Sequence, residues 1–331
     1  MKSSATAFLG FLLALTVALA SCGAGDEGAG SSISYTGVED QATLTTENAL
    51  EIAVTAYQGG SAGAALGEIR ALESAGGDGV GEGDGGAALS GRARLLELTR
   101  VLKEAVSKID LAGSTEVKGF RSDVVYGDCS GSSGSASYSI AYDDFFGDFS
   151  GDIFFSAFCS EGVTISGSAN FSGGVDPATG GFIFYTIDVD SLTMTSGSDS
   201  FVASGEVDYD FTFSPTTVTM NMYLEDAASR VFWFRNVTMT LTESSIYLYA
   251  YISGGRFYHP DHGYVTLATP DPLAYYYGED WAFGGELDCG GAGGTDASLT
   301  VISQDEYQVQ ADTVGDGSIG YDSGVLFWSG I

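Results

Sequence analysis

The chain has 331 residues, 44 acidic against 12 basic, for a formal charge of −32. That balance excludes nucleic acid as an electrostatic partner and points to a well-solvated surface outside the cytoplasm, or to divalent cations. Tyr and Phe total 38 and Gly 48, with only 5 Pro, a composition of short strands and tight turns rather than helices. Length alone does not force a second globular unit, because β-structures of this size are often one domain.

The first element is a secretion signal: Lys2, then the apolar run Phe8 to Ala20, then Leu19-Ala20-Ser21-Cys22. The run is too short for a comfortable membrane span. Its last four residues resemble the lipobox of bacterial lipoproteins. The resemblance implies removal of residues 1–21, a diacylglycerol on the Cys22 sulfur and acylation of the new amino terminus, which together make a stable anchor. Gly rather than Asp at position 23 implies, by analogy with lipoprotein sorting, passage to the outer membrane. Residues 22–34 are rich in Gly, Ser and acid, and read as a flexible tether with a reach of roughly 20 Å.

Residues 35–118 read as a helical segment. Ala49, Ile52, Ala53 and Ala56 repeat at helical spacing behind Thr45 and Thr46, which predicts a helix over 46–58. A second, weaker one is expected over 62–74. A mobile loop over 74–91 follows, where Gly76 to Gly86 holds seven glycines and one large apolar residue, Val80. Ser90 then caps a helix to Ile109 with Leu95, Leu98 and Leu102 on one stripe, and six basic residues gather between Arg92 and Lys118. From 119 to 331 the chain holds only four basic residues against 29 acidic ones. The two parts should attract.

Residues 119–331 read as an antiparallel β-domain, because apolar and polar residues alternate for most of that length. Gly205, Val207, Tyr209 and Phe211 alternate with Glu206, Asp208 and Asp210, so one face of the sheet is dry and the other wet. Strands are expected over 135–145, 149–158, 162–171, 182–194, 200–213, 216–224, 230–242, 245–258, 264–269, 284–289, 297–302, 306–312 and 324–329, starting from one near Phe120. So many strands must curl, close or split into layers. The predicted fold class is mainly β: a large antiparallel meander, as curved sheet, open barrel or two-layer sandwich, with N-terminal amphipathic helices packed on it. A lipid-exposed transmembrane barrel is disfavoured, since a basic helix and an acidic loop would need housing beside it.

Three cysteines remain after Cys22. Cys129 and Cys159 bracket two neighbouring strands and are expected to pair, which leaves Cys289 as a buried thiol among acidic neighbours. Both histidines lie in His259-Pro260-Asp261-His262, a β-turn sequence that also offers His259, Asp261 and His262 as metal ligands. Asp312, Asp316 and Asp322 form a degraded calcium loop: Val314 stands where an oxygen ligand belongs and Ser323 where a bidentate Glu belongs. Phe232, Trp233, Phe234, Tyr247, Tyr249 and Tyr251 offer either an aromatic core or a ligand groove. No catalytic constellation stands out and no cofactor beyond calcium is suggested. The expectation is a non-enzymatic structural or binding module of the cell envelope, held to the membrane by its lipid, with a protein, glycan or lipid partner. The alternative is a periplasmic carrier enclosing a hydrophobic ligand between curved sheet and helix.

Overall fold

The computed structural model describes residues 33–66 and 118–330, apart from 128, 130–133, 144–146, 161–162, 177–181, 197–198, 213, 245 and 277–280. The helix expected over 90–109 and the loop over 74–91 lie outside the described residues, as does Cys22. Among those described, no helix is long and apolar enough to cross a membrane.

One helix, α1 (Ala49–Leu66), precedes fifteen strands: β1 (Lys118–Tyr126), β2 (Ser135–Asp143), β3 (Asp148–Ser160), β4 (Val163–Val175), β5 (Phe182–Ser196), β6 (Asp199–Asp210), β7 (Thr216–Asp226), β8 (Val231–Glu243), β9 (Tyr247–His259), β10 (Gly263–Ala268), β11 (Leu273–Tyr276), β12 (Gly285–Gly290), β13 (Asp296–Val301), β14 (Glu306–Asp312) and β15 (Tyr321–Phe327). All pairings between strands are antiparallel. Each strand pairs with the next in sequence, except that β10 pairs with β12 and the short β11 lies against β9. The sheet is therefore one open meander, not closed into a barrel.

Strict alternation builds it. On β7 the side chains of Val218, Met220 and Met222 are buried while Thr217, Thr219 and Asn221 stay partly in solvent. Ile153, Ile187 and Val207 carry the same dry face across neighbouring strands, opposite Asp152, Thr186 and Glu206. Buried residues of every part of the sheet and of α1 form one contiguous core.

The helix begins at a reciprocal cap. The Glu47 amide donates to Thr45 Oγ1 at 3.2 Å and the Thr45 amide to Asn48 Oδ1 at 2.8 Å, which satisfies donors that have no intrahelical partner. Ala49, Ile52, Ala53 and Ala56 then face inward with no exposure. Two helices are expected over 46–58 and 62–74, the second lying outside the described residues beyond Leu66; α1 runs unbroken from the first into the start of the second, to Leu66. The reason is a close approach rather than a turn. A Cβ on Gly59 would lie 1.8 Å from Cζ of the buried Phe234 on β8, so the glycine lets helix and sheet touch.

The helix packs against β8, β9, β12, β13 and β14, all in the C-terminal half of the sheet. Tyr57 of α1 stacks on Trp328 at 4.8 Å, which stacks on Tyr307 at 4.0 Å and Trp281 at 4.6 Å. The Tyr57 hydroxyl accepts the Ala282 amide at 3.2 Å. Ahead of the helix, residues 38–42 run beside β10: the Ala42 amide donates to Tyr264 O at 2.8 Å and the Tyr264 amide to Asp40 O at 2.9 Å. Gly263 permits this, having φ +94° and a Cβ direction that points 2.1 Å from Asp40 O.

Candidate functional site

The β9–β10 hairpin ends against α1, and there the two histidines of the chain meet an acid from a distant part of the sequence. His259 closes β9 and is completely buried; His262 sits across the turn, its amide donating to His259 O at 3.3 Å. Their rings stack with centroids 4.6 Å apart. Glu51, on the first turn of α1, brings Oε1 to 3.3 Å from His259 Nε2 and Oε2 to 3.4 Å from His262 Nε2. All three ligand atoms lie within 4.8 Å of one another, and no other group of three metal-capable side chains converges so among the described residues.

Around this trio stand Arg230, Asp226 and Asp261. Arg230 NH1 lies 3.5 Å from Glu51 Oε1 and 3.9 Å from Asp261 Oδ2, while its Nε donates to Asp226 Oδ2 at 2.8 Å. Asp261 therefore joins the cluster through Arg230, and Glu51 takes the third ligand position expected of it. The Asp261 amide donates to His259 Nδ1 at 3.3 Å. His259 Nε2 is buried, and among the described residues nothing meets it in good hydrogen-bonding geometry: Glu51 Oε1 at 3.3 Å is close enough for an ionic contact only.

Burial pushes the basicity of His259 down, and this outweighs the pull of Glu51 upward. For Glu51 burial acts against ionisation, but His259, a hydrogen bond from His262 and the Arg230 charge outweigh it and hold the carboxyl below its ordinary value. Neutral imidazole beside ionised carboxylate is the state that accepts a cation.

The other expected ligands are placed apart. Asp312 is buried, and its carboxylate accepts the amides of Val314, Gly315 and Gly317, which hold its pKa below the usual carboxylate range. Asp316 accepts from Ser318, and Asp322 accepts from Gln308 at 2.7 Å and Gln310 at 3.0 Å. Each of the three carboxylates is used by local donors, and they do not converge as a calcium loop requires.

The six aromatic residues are split. Phe232 and Phe234 face the core, whereas Trp233 lies on the opposite face, stacked on Tyr258 at 4.7 Å and Tyr223 at 5.3 Å with Arg235 over its ring. Tyr247 and Tyr249 pack edge to face, and Tyr247 also meets Tyr276 of β11 and Phe283, each at 5.2 Å. Tyr251 is exposed. They do not form one groove.

A groove lies on the wet face of β2 to β6. Its volume is about 450 Å³ and its lining includes Ser139, Asp152, Asn170, Thr186, Asp188 and Glu206. Thr186 donates to Asp208 at 2.6 Å and Ser139 to Asp152 at 3.2 Å. Partial burial, helped by the charge of Asp190, raises the Asp188 pKa.

Cys129 and Cys159 are joined in a disulfide. Cys289 is free and buried on β12; burial, then the Asp288 charge, push its thiol up to about 12. No family model, curated protein or solved structure matches the chain.

Proposed function

We propose that this protein is a lipid-anchored, non-enzymatic binding module of the bacterial outer membrane. The observation that carries the reading is the run Lys2, Phe8 to Ala20 and Leu19-Ala20-Ser21-Cys22, a signal whose end offers a thiol to lipid transfer. The Cys129–Cys159 disulfide agrees with an oxidising compartment. Cys289, buried and with its thiol pKa raised to about 12, has almost no thiolate at neutral pH and is no nucleophile. The wet-face groove offers hydroxyls, amide and carboxylates, which suit a hydroxylated partner such as a glycan better than a lipid tail. This favours a binding module over a carrier of hydrophobic ligand.

The test is fractionation of Gram-negative cells expressing the full chain and Cys22→Ala. The parent should sediment with the outer membrane and yield an acylated N-terminal peptide beginning at Cys22. The variant should leave the membrane fraction. Retention of Cys22→Ala in the membrane would overturn the lipid anchor.

A further inference from the structure

We propose that Glu51, His259 and His262 bind one transition-metal dication of the zinc class at the seam between α1 and the β9–β10 hairpin. Two imidazole nitrogens with one carboxylate are a borderline-soft donor set. It suits zinc or its first-row neighbours, whereas calcium and magnesium take oxygen.

Geometry supports the assignment. Donors about 2.1 Å from a tetrahedral zinc stand about 3.4 Å apart. The two histidine-to-carboxylate separations are 3.3 Å to Oε1 and 3.4 Å to Oε2, and one ligand atom from each of the three residues lies within 4.8 Å of the others, so a modest closing of the side chains completes the site. The second, independent observation is His259 itself: its side chain is 1% exposed and its buried Nε2 has no hydrogen-bond partner in good geometry among the described residues. A buried ring nitrogen aimed at a carboxylate and a second imidazole, and bonded to neither in good geometry, is an uncompensated polar group. A metal compensates it.

Charge points the same way. Glu51, Asp226 and Asp261 carry three negative charges and Arg230 one positive charge, so these four side chains sum to −2. One dication brings the cluster to zero. Arg230 keeps its place, because its firmest contact is with Asp226, through Nε at 2.8 Å and through its backbone amide at 2.9 Å. Two contacts must yield: the Asp261 amide on His259 Nδ1, 3.3 Å long, because metal on Nε2 requires the ring proton on Nδ1, and the hydrogen bond from His262 Nε2 to Glu51 Oε2, 3.4 Å long, because that nitrogen must be free of its proton to bind metal.

The side chains of His262 and Glu51 are 28% and 47% exposed, so the metal enters from solvent and three protein ligands leave a position for water. The site also ties a helix to a hairpin 208 residues away along the chain. Binding should therefore stabilise the fold.

The test uses the untagged full chain, stripped with chelator and then titrated with zinc by calorimetry. High salt and excess magnesium suppress loose binding to the acidic surface. The expected result is one equivalent of zinc, a rise in melting temperature, and visible absorption of four- or five-coordinate geometry when cobalt replaces zinc. His262→Ala and Glu51→Gln, whose side chains are partly exposed, should fold and each bind at least about tenfold more weakly. His259→Gln is the riskier variant, since it changes a buried side chain. The proposal is overturned if the folded parent takes up no zinc at several-fold excess, or if stoichiometric binding survives in the Glu51→Gln, His262→Ala double variant.

Discussion

Asp312 shows how a residue type can mislead when its partners are backbone. Its carboxylate collects the amides of Val314, Gly315 and Gly317, so it works as the clasp of the turn that leads into β15. Backbone donors, Gly317 foremost, favour the ionised form and lower the folded-state pKa below 3.8. A depressed carboxyl contributes stability above its unfolded pKa and loses that contribution as pH falls through the folded value. Asp312→Asn should therefore lower the melting temperature at pH 7, and the gap from the parent should close in acid, below the ordinary pKa of 3.8. Melting curves across that pH range check it; a gap that stays constant would mean that the charge has no part in the clasp. In the sequence the aspartates of 312–322 look like cation ligands because spacing is visible there and hydrogen-bond partners are not. Glu51 is the opposite case. It is an acid on the flank of an amphipathic helix, and nothing local distinguishes it from a solvated one until the fold brings it to His259 and His262.

At the scale of elements, period proved a better guide than composition. Fourteen strands follow the alternation of apolar and polar residues, and the ends expected for them move by a few residues only. The exception is β11: Leu273–Tyr276 is four residues long and follows Pro270 and Pro272, so it is too short to display a period. The two helices expected over 46–58 and 62–74 join in α1 because Gly59 serves a close contact and not a turn, and only tertiary packing decides between those two uses of glycine. This gives a paired test. Gly59→Ala drives a Cβ into the Phe234 ring and should cost about 1–3 kcal/mol by overpacking, exceeding the ~1 kcal/mol gained in helix propensity. Gly60→Ala meets only Ile252 Cδ1 at an ordinary 3.4 Å and should be neutral or stabilising by up to about 1 kcal/mol. Denaturant titration of both variants decides it. Equal effects at the two sites would contradict the close approach of α1 to β8.

For the whole molecule, the open sheet ends in β1 and β15, which each have one strand partner among the described residues, and devices beyond strand pairing help to hold it together. The C-terminal half has α1 and its aromatic stack. Towards the other end, the disulfide ties the connection between β1 and β2 to β3 across 30 residues of chain. Loop-closure entropy makes such a bridge worth about 3.5 kcal/mol. The Cys129→Ser, Cys159→Ser double variant should lose roughly that much, read from its denaturation midpoint. A midpoint equal to the parent's would show that the bridge does not constrain the unfolded chain. The pairing was legible from the strands between the two cysteines, whereas the course of the sheet was not, because alternation marks a dry face without saying how far that face bends.

The position of α1 also bears on the time course of folding. Its inward side chains find their cover on β8, β9 and β12 to β14, more than 160 residues later in the chain. Hairpins of the meander can form as neighbours arrive, but the helix is synthesised early and has to wait for the last third of the protein. Contacts of such separation slow folding. A chain threaded amino end first through a translocation pore would emerge with Ile52, Tyr57 and their neighbours uncovered, and completion would be registered only when Trp328 closes over them. Refolding of the full chain should accordingly be slow for its size, because α1 finds its cover only on strands this far along the sequence.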